Sequence, residues 1–516
     1  MRQLYALIFA SVAILTPNAA QAAVEDTVLE DQSTSNLTPE DLYRLQRKAG
    51  MGDAAAETSV GFMYLSNANG QRNDTEAVRW FRKAAEQDYV KAQLTLAVLL
   101  IRGQGVEKND EEAVRWLRKA ADHGSGEAAS ILGELYERGL GVSQDFNQAA
   151  SWYRISAERG ALFAQIRLGG MYRDGLGGPR DMQASFAWFK KAAEAGDPSG
   201  EANLGLTYLN GLGVPPDPTL AASWLRKAAE HGNPDGQAFL GYMYLAGTGV
   251  PKDNIQGNFW IQKSAEQGNS NGQYLVGTLY YTGSVVPKNE EIAFSWFKKS
   301  ADQGHAKAQL NVGAMLLDGK GTKEDARTGA VFVRKAAEQG LAQAQLLIGN
   351  CFFFGRGVGM DVHKAAFWYE KSAAQGVTDA ELGLADILWR GYDGIKTDHK
   401  RAVALFSSAA KKGSAIGQFN LALAYFQGDC VSQDVREAET LLRKAAQQGL
   451  VQAQYVLGRY LAEQFAMGAG ATEAESWLRK AADQGHADAI KELQRFRDDR
   501  TRQQNLLNFS YQTPFK

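Results

Sequence analysis

Apolar positions along the chain recur at helical spacing and in a fixed order. In Ala113–Gly124 (AVRWLRKAADHG), Ala113, Trp116, Leu117, Ala120 and Ala121 fall on one stripe of an amphipathic helix. The segment repeats. Steps of 36 residues join Trp80, Trp116, Trp152, Trp188, Trp224, Trp260, Trp296, Phe332 and Trp368. One extra residue intervenes, and the series resumes at Leu405, Leu441 and Trp477. Eight residues after each mark stands a glycine, from Gly124 and Gly160 to Gly485, except in the first copy, which has Asp88. A second apolar segment precedes each of these, as in Glu127 to Arg138 (EAASILGELYER). Its middle position is Gly133, Gly169, Gly205, Gly241, Gly277, Gly313, Gly349 or Gly458, and Ala97, Ala385 or Ala422 elsewhere. Tyr136, Tyr172, Tyr208, Tyr244 and Tyr280 follow three residues on, on nearly the same face. A glycine inside a helix costs roughly 1 kcal/mol relative to alanine. Repeating that cost in one column predicts close approach of a neighbouring helix.

A period of this length predicts a stacked-repeat solenoid. The expected fold is all-α: a right-handed α-solenoid of about twelve 36-residue helix–turn–helix repeats with capping helices. Between the two helices lies a glycine-rich turn, such as Gly139-Leu140-Gly141-Val142 or Gly355-Arg356-Gly357-Val358. One of its glycines is expected at positive φ, closing the first helix, with the valine turned into the core. Asp110, Asp145, Asp181, Asp217 and Asp253 follow as caps or leads into the second helix. Lys119 with Asp122, Lys191 with Glu194 and Lys227 with Glu230 read as exposed i,i+3 pairs on a solvated outer face.

The ends read differently. Residues 1–22 have the form of a signal peptide: Arg2, then an apolar run from Leu4 to Leu15 too short to span a bilayer, then Ala20-Gln21-Ala22. Residues 23–37 are polar and unpatterned, a flexible leader. Thr38-Pro39-Glu40-Asp41 opens a helix, so 38–52 reads as an N-terminal cap, with Arg44 at the tryptophan position. The repeats occupy 53–485, a C-terminal capping helix 486–500, and 501–516 form a tail outside the pattern. No membrane span is expected after signal cleavage, which places the mature chain in the periplasm, at the cell surface or outside the cell.

Charge is balanced, with 56 basic against 58 acidic residues, which argues against a nucleic-acid partner. The two cysteines, Cys351 and Cys430, stand about two repeats apart, beyond bridging distance if repeats touch only their neighbours. Both read as free and packing.

The order Ala-Gln-x-x-Leu-Gly-x-x-Tyr, Gly-x-Gly-Val, Ala-x-x-Trp-x-x-Lys-Ala-Ala resembles the Sel1-like repeat, a branch of the tetratricopeptide-like solenoids. One copy shows Ala308-Gln309, Val312 in place of the usual leucine, Gly313 and Gly319-Lys320-Gly321. The preceding tryptophan helix shows Ala293, Trp296, Lys299 and Ala301. The resemblance spans roughly residues 38 to 500. It implies an adaptor rather than an enzyme. It also implies a protein partner on the concave surface, either a host protein such as an immunoglobulin or an envelope component. A structural envelope organiser with no single ligand is an alternative. A cysteine-rich branch of the family is described as binding penicillin-like compounds, and a chain with two cysteines matches it poorly.

Little in the chain points to chemistry. His123, His231, His305, His363, His399 and His486 are scattered, with no zinc motif, so neither a metal site nor a cofactor is expected. Ser295-Trp296-Phe297-Lys298 fits the SxxK of penicillin-recognising serine enzymes, the basis of an alternative hydrolase reading. Ser151, Ser223 and Ser476 share the serine's column, however, and no SDN or KTG accompanies it. No catalytic residue is assigned. The clearest departure from the repeat is aromatic. Four residues past the helix glycine, the early copies carry Glu137 and Arg173, whereas later ones carry Tyr281, Leu317, Phe353, Trp389 and Phe426. Phe352 and Phe354 thicken the run in the ninth copy. Tyr281, Phe353, Phe354, Trp389 and Phe426 form a candidate stripe for a protein partner, if exposed. Leu209 and Leu245 share the column, which favours packing against the next helix instead.

Overall fold

A computed structural model describes residues 39–66, 72–392, 394–465 and 468–512. The signal segment, the leader and Thr38 lie outside the described residues. Among the described residues the chain is all-helical, with 26 helices and no strand. Helices alternate between the first and second segments of the repeat, most of them thirteen residues long, and form an α-solenoid. The third repeat is representative, with Gly126–Arg138 followed by Phe146–Glu158.

Local chemistry sets the helix ends. Ser125 and Asp145 are N-caps. The Ser125 hydroxyl accepts from the Ala128 N–H, and the Asp145 carboxylate accepts from the N–H groups of Asn147 and Gln148. The first helix ends at Gly139 with φ +70°, whose N–H reaches back to the Leu135 carbonyl. Gly141 is also left-handed, at φ +67°. The turn therefore requires two glycines rather than the one expected, for different reasons. Gly139 closes a helix. At Gly141 a Cβ would stand 2.4 Å from the Asp110 carbonyl oxygen, in the second helix of the preceding repeat. The second glycine is thus a contact between repeats. In the middle of the first helix, a Cβ on Gly133 would lie 2.7 Å from the ring of Tyr153 in the same repeat's second helix.

Described residues divide into two compact units, one reaching Leu279 with Ser284–Val286, the other comprising Tyr280–Gly283 and the chain from Pro287. In the first unit the opening helix, Pro39–Gly50, sets Leu45 and Ala49 against Ala56, Val60 and Trp80. Its outer face is polar, with Arg44 bonded to Glu40 at 2.6 Å. In the second unit one core runs from Leu317 to Phe496. The final helix is Ala487–Gln512, continuing past residue 500. It is held by Leu493 and Phe496 in the core and by Arg497 and Arg500 on Glu475, at 2.9 and 2.8 Å.

Lys119, Lys191 and Lys227 behave differently from the expectation of ion pairs. Their ammonium groups sit over the rings of Trp116, Trp188 and Trp224, at 4.8, 4.2 and 4.0 Å from the centroids. The ring face attracts the cation, and the lysine stem covers indole that would otherwise meet water. The recurring tryptophan–lysine pair is therefore an outer seal on the core.

Candidate interaction surface

Tyr281, Phe353, Trp389 and Phe426 each occupy the penultimate position of a first helix, namely Ser270–Thr282, Ala342–Phe354, Thr378–Arg390 and Ala415–Gln427. All four lie in the second unit, where their side chains lean on the second helix of their own repeat or on the following turn or repeat. Tyr281 packs on Phe297 with ring centroids 6.2 Å apart. Phe353 meets Tyr369 at 6.4 Å and Tyr392 at 5.5 Å. The Trp389 indole stacks flat on His399 at 4.3 Å and touches Phe406 at 6.0 Å. Phe426 meets Tyr460 at 5.2 Å. Phe353, Trp389 and Phe426 are consequently half-buried, and Tyr281 is 38% exposed.

The strongly exposed member is Phe354, at 73%, whose ring rests edge-on against Phe353 at 5.0 Å. Met360, also 73% exposed, lies on the turn that follows. Neither Met360 nor Tyr392 was legible as part of this patch. Both lie in turn segments that vary in composition between repeats, and only the fold brings them beside the aromatic run. The charges nearby are paired. Arg356 bonds to the Leu317 carbonyl and to Asp318, and Asp386 holds Arg390 at 2.6 Å and the Tyr392 hydroxyl at 3.1 Å. The result is an apolar patch on rigid helices with a neutralised rim, an arrangement suited to protein contact.

The same column carries a different chemistry in the early repeats. Arg167 closes a short ion pair on Glu137, and the Tyr153 hydroxyl donates to Glu137 at 2.8 Å. The Arg167 and Glu137 side chains are only 12% and 14% exposed. Burial pushes the Tyr153 phenol far above its ordinary value, with the Glu137 charge adding to the shift. Arg173 pairs with Asp174 at 2.8 and 2.9 Å.

A polar ladder also crosses the repeats, unforeseen although its residues recur visibly. Gln237, Gln309, Gln345 and Gln454 donate to a carbonyl eight residues back, at 3.1 to 3.3 Å. Each also accepts from the glutamine thirty residues on, Gln267, Gln339, Gln375 and Gln484, at 2.7 to 2.8 Å. At two rungs other groups replace the glutamine pair: His231 Nδ1 lies 2.8 Å from the Glu201 carboxylate, and the Lys412 ammonium bonds Glu381 at 2.9 Å.

Other candidate groups are accounted for locally. Lys298 is held by both oxygens of Asp302 at 2.5 Å and lies over the Phe332 ring, while Ser295 is exposed on the helix surface. Cys351 is buried, and burial pushes its thiol up to about 11. Cys430, expected to pack, is exposed. It sits at φ +56° in the second glycine position of its turn. Among the described residues, no three His, Cys, Asp or Glu side chains cluster so as to hold a metal ion, and no helix is long and apolar enough to cross a membrane.

Comparison with known proteins places this architecture. The Sel1 repeat model matches twelve consecutive segments, from 54–89 through 126–160 and 342–377 to 451–486. The crystal structure of c5321, described as a protective antigen present in uropathogenic Escherichia coli strains and displaying an SLR fold, is 31% identical. That match covers 88% of this chain and 97% of c5321, with a TM-score of 0.56. A Sel1 repeat protein from Oxalobacter formigenes is 33% identical over 60% of this chain and 89% of its own, with a TM-score of 0.42. The search of curated proteins found no match.

Proposed function

The chain belongs to the Sel1 repeat family, and we propose from that premise that it is an exported, non-enzymatic scaffold that binds a protein partner. The repeat solenoid is a fold generally used for protein–protein interaction. The observation that carries the reading is the patch of Phe354 and Met360, each 73% exposed, backed by half-buried Phe353 and Tyr392. Exposed apolar side chains held by a pre-formed core bind without a large ordering cost. Well-packed aromatic anchors of this kind dominate interface energies. Export rests on the signal-like residues 1–22. The likeness to c5321, described as a protective antigen, supports a partner encountered outside the cytoplasm, either a host protein such as an immunoglobulin or an envelope component.

The test uses the chain from residue 23 as bait against envelope extracts, host secretions and purified immunoglobulin. A specific protein retained by the wild type and lost with Phe354→Ser plus Met360→Ser, at unchanged helicity, supports the reading. Equal retention by wild type and variant removes this patch as the carrier. Turnover of a chromogenic ester or acylation by a labelled β-lactam overturns the non-enzymatic part.

A further inference from the structure

In the second unit, three successive second helices, Ala326–Glu338, Val362–Ala374 and His399–Lys411, combine exposed apolar side chains with an excess of positive charge. Each lies against the first helices before and after it and turns its other side to solvent. On the solvent side Arg327, His363 and Lys400 share one register position, and Val331, Phe367 and Ala404 share the position one turn on. In the first unit the latter column holds Arg79, Arg115, Ser151, Ala187, Ser223 and Phe259. Bulky apolar residues in two neighbouring repeats therefore mark this place. Val331 is 39% exposed and Phe367 51%. The Phe367 ring stands edge-on to Trp368 at 5.1 Å, with the Lys371 ammonium 4.7 Å from its centroid.

The charge is local to these helices. With the residues that cap them (325–339, 361–375 and 398–412) they hold nine basic against five acidic residues. That is a surplus of four in a chain whose totals stand at 56 and 58. The acids are all engaged. Asp325 and Asp398 cap their helices, accepting from the N–H groups of Thr328 and Arg401. Asp361 is held by Lys364 at 2.9 Å, Glu338 by Arg334 at 3.7 Å, and Glu370 by Arg401. Arg327, Lys400 and Lys411 are exposed and have no ion pair among the described residues. These cations spread across successive helices instead of converging on one point, so they match an extended sheet of negative charge better than a single anion. Apolar side chains set among spread cations are the arrangement that lies in a lipid–water interface: the rings enter the headgroup–acyl boundary while lysine and arginine meet the phosphates.

We propose that this outer face docks on the surface of an anionic phospholipid bilayer, with Phe367 and Val331 entering the interface and Arg327, Lys400 and Lys411 meeting headgroup phosphates. The contact is peripheral, since among the described residues no helix is long and apolar enough to cross a membrane. The face is separate from the Phe354 patch, and the assignment does not draw on the partner reading.

The test is co-sedimentation of the chain from residue 23, which lacks the apolar run Leu4 to Leu15, with vesicles of phosphatidylcholine alone or mixed equally with phosphatidylglycerol. The mixed vesicles should retain the chain at least tenfold better than the neutral ones, and raising NaCl from 50 to 500 mM should remove most of the difference. A triple variant, Arg327→Gln, Lys400→Gln and Lys411→Gln, should lower retention on mixed vesicles at least tenfold, because each basic group near an anionic surface contributes roughly a fivefold gain. Phe367→Ser should lower retention about threefold or more with the salt response unchanged. The same loss of charge elsewhere, by Arg79→Gln, Arg115→Gln and Lys252→Gln, should lower it less than threefold. Helical circular dichroism checks that each variant is folded. Equal retention on neutral and mixed vesicles, or an equal loss in the two triple variants, would overturn the assignment. Binding of a poly-glutamate peptide that the first triple variant loses, with no retention on mixed vesicles, would overturn it in favour of an acidic protein partner. The scaffold reading is judged apart, because capture through Phe354 is measured without lipid.

Discussion

His305 makes the stability of the second unit depend on acid in a way that can be worked out from its surroundings. It is the N-cap of the helix Ala306–Asp318, and its Nδ1 accepts from the Ala308 N–H at 3.2 Å. That bond needs an unprotonated Nδ1. The residue is 8% exposed, and burial, with the charge of Lys307 adding to it, lowers the imidazole from 6.5 to about 4. Above pH ~6.5 the ring is neutral both folded and unfolded, and it contributes no pH dependence. Between pH ~6.5 and ~4 the unfolded chain binds a proton that the folded chain refuses, so stability falls with pH. Below ~4 both forms are protonated and the loss levels off. At about 1.4 kcal/mol for each tenfold change in proton affinity, the drop from 6.5 to about 4 costs about 3 kcal/mol by pH 4, where the folded ring is itself half protonated. The perturbation is His305→Asn, because Asn233 caps the equivalent helix by the same geometry. Urea unfolding, followed by helicity, compares wild type and variant at pH 7 and pH 4. Carboxylates elsewhere contribute equally to both proteins, so the difference isolates His305. The variant should lose about 3 kcal/mol less than the wild type between the two pH values, with near-equal stability at pH 7. An identical acid loss in both proteins, or a His305 resonance titrating near 6.5, would refute the reasoning.

Three further outcomes follow from the same geometry. Gly139→Ala should cost about 1–2 kcal/mol, the penalty of the left-handed region, whereas Gly141→Ala adds a clash with the Asp110 carbonyl at 2.4 Å and should cost clearly more by urea unfolding. Trp389→Ala removes an indole packed on His399 and Phe406 and should destabilise by about 2–4 kcal/mol, while Phe354→Ser should stay within about 0.5 kcal/mol, both read from thermal melts. A maleimide added to the native chain should label exposed Cys430 and spare buried Cys351 until denaturant is present, and equal labelling rates would contradict the placement.

Much of the architecture was readable because it depends on local and periodic signals. The stripe Ala113, Trp116, Leu117, Ala120 and Ala121, repeated every 36 residues, leaves little alternative to stacked helix pairs. Glycines at helix ends and Asp or Ser at helix starts act within a few residues, so their columns announce the boundaries. Exposure is different, since it depends on which side chain a neighbouring helix or turn sets against a given position. Phe353 and Phe354 are adjacent in sequence and alike in chemistry, yet Tyr369 and Tyr392 flank the first and nothing comparable shields the second. The lysines of the Lys-Ala-Ala motif face two partners at similar spacing, an acid and an indole, and packing selects the indole. The glutamine ladder joins residues thirty apart, a spacing that means nothing until the helices are stacked.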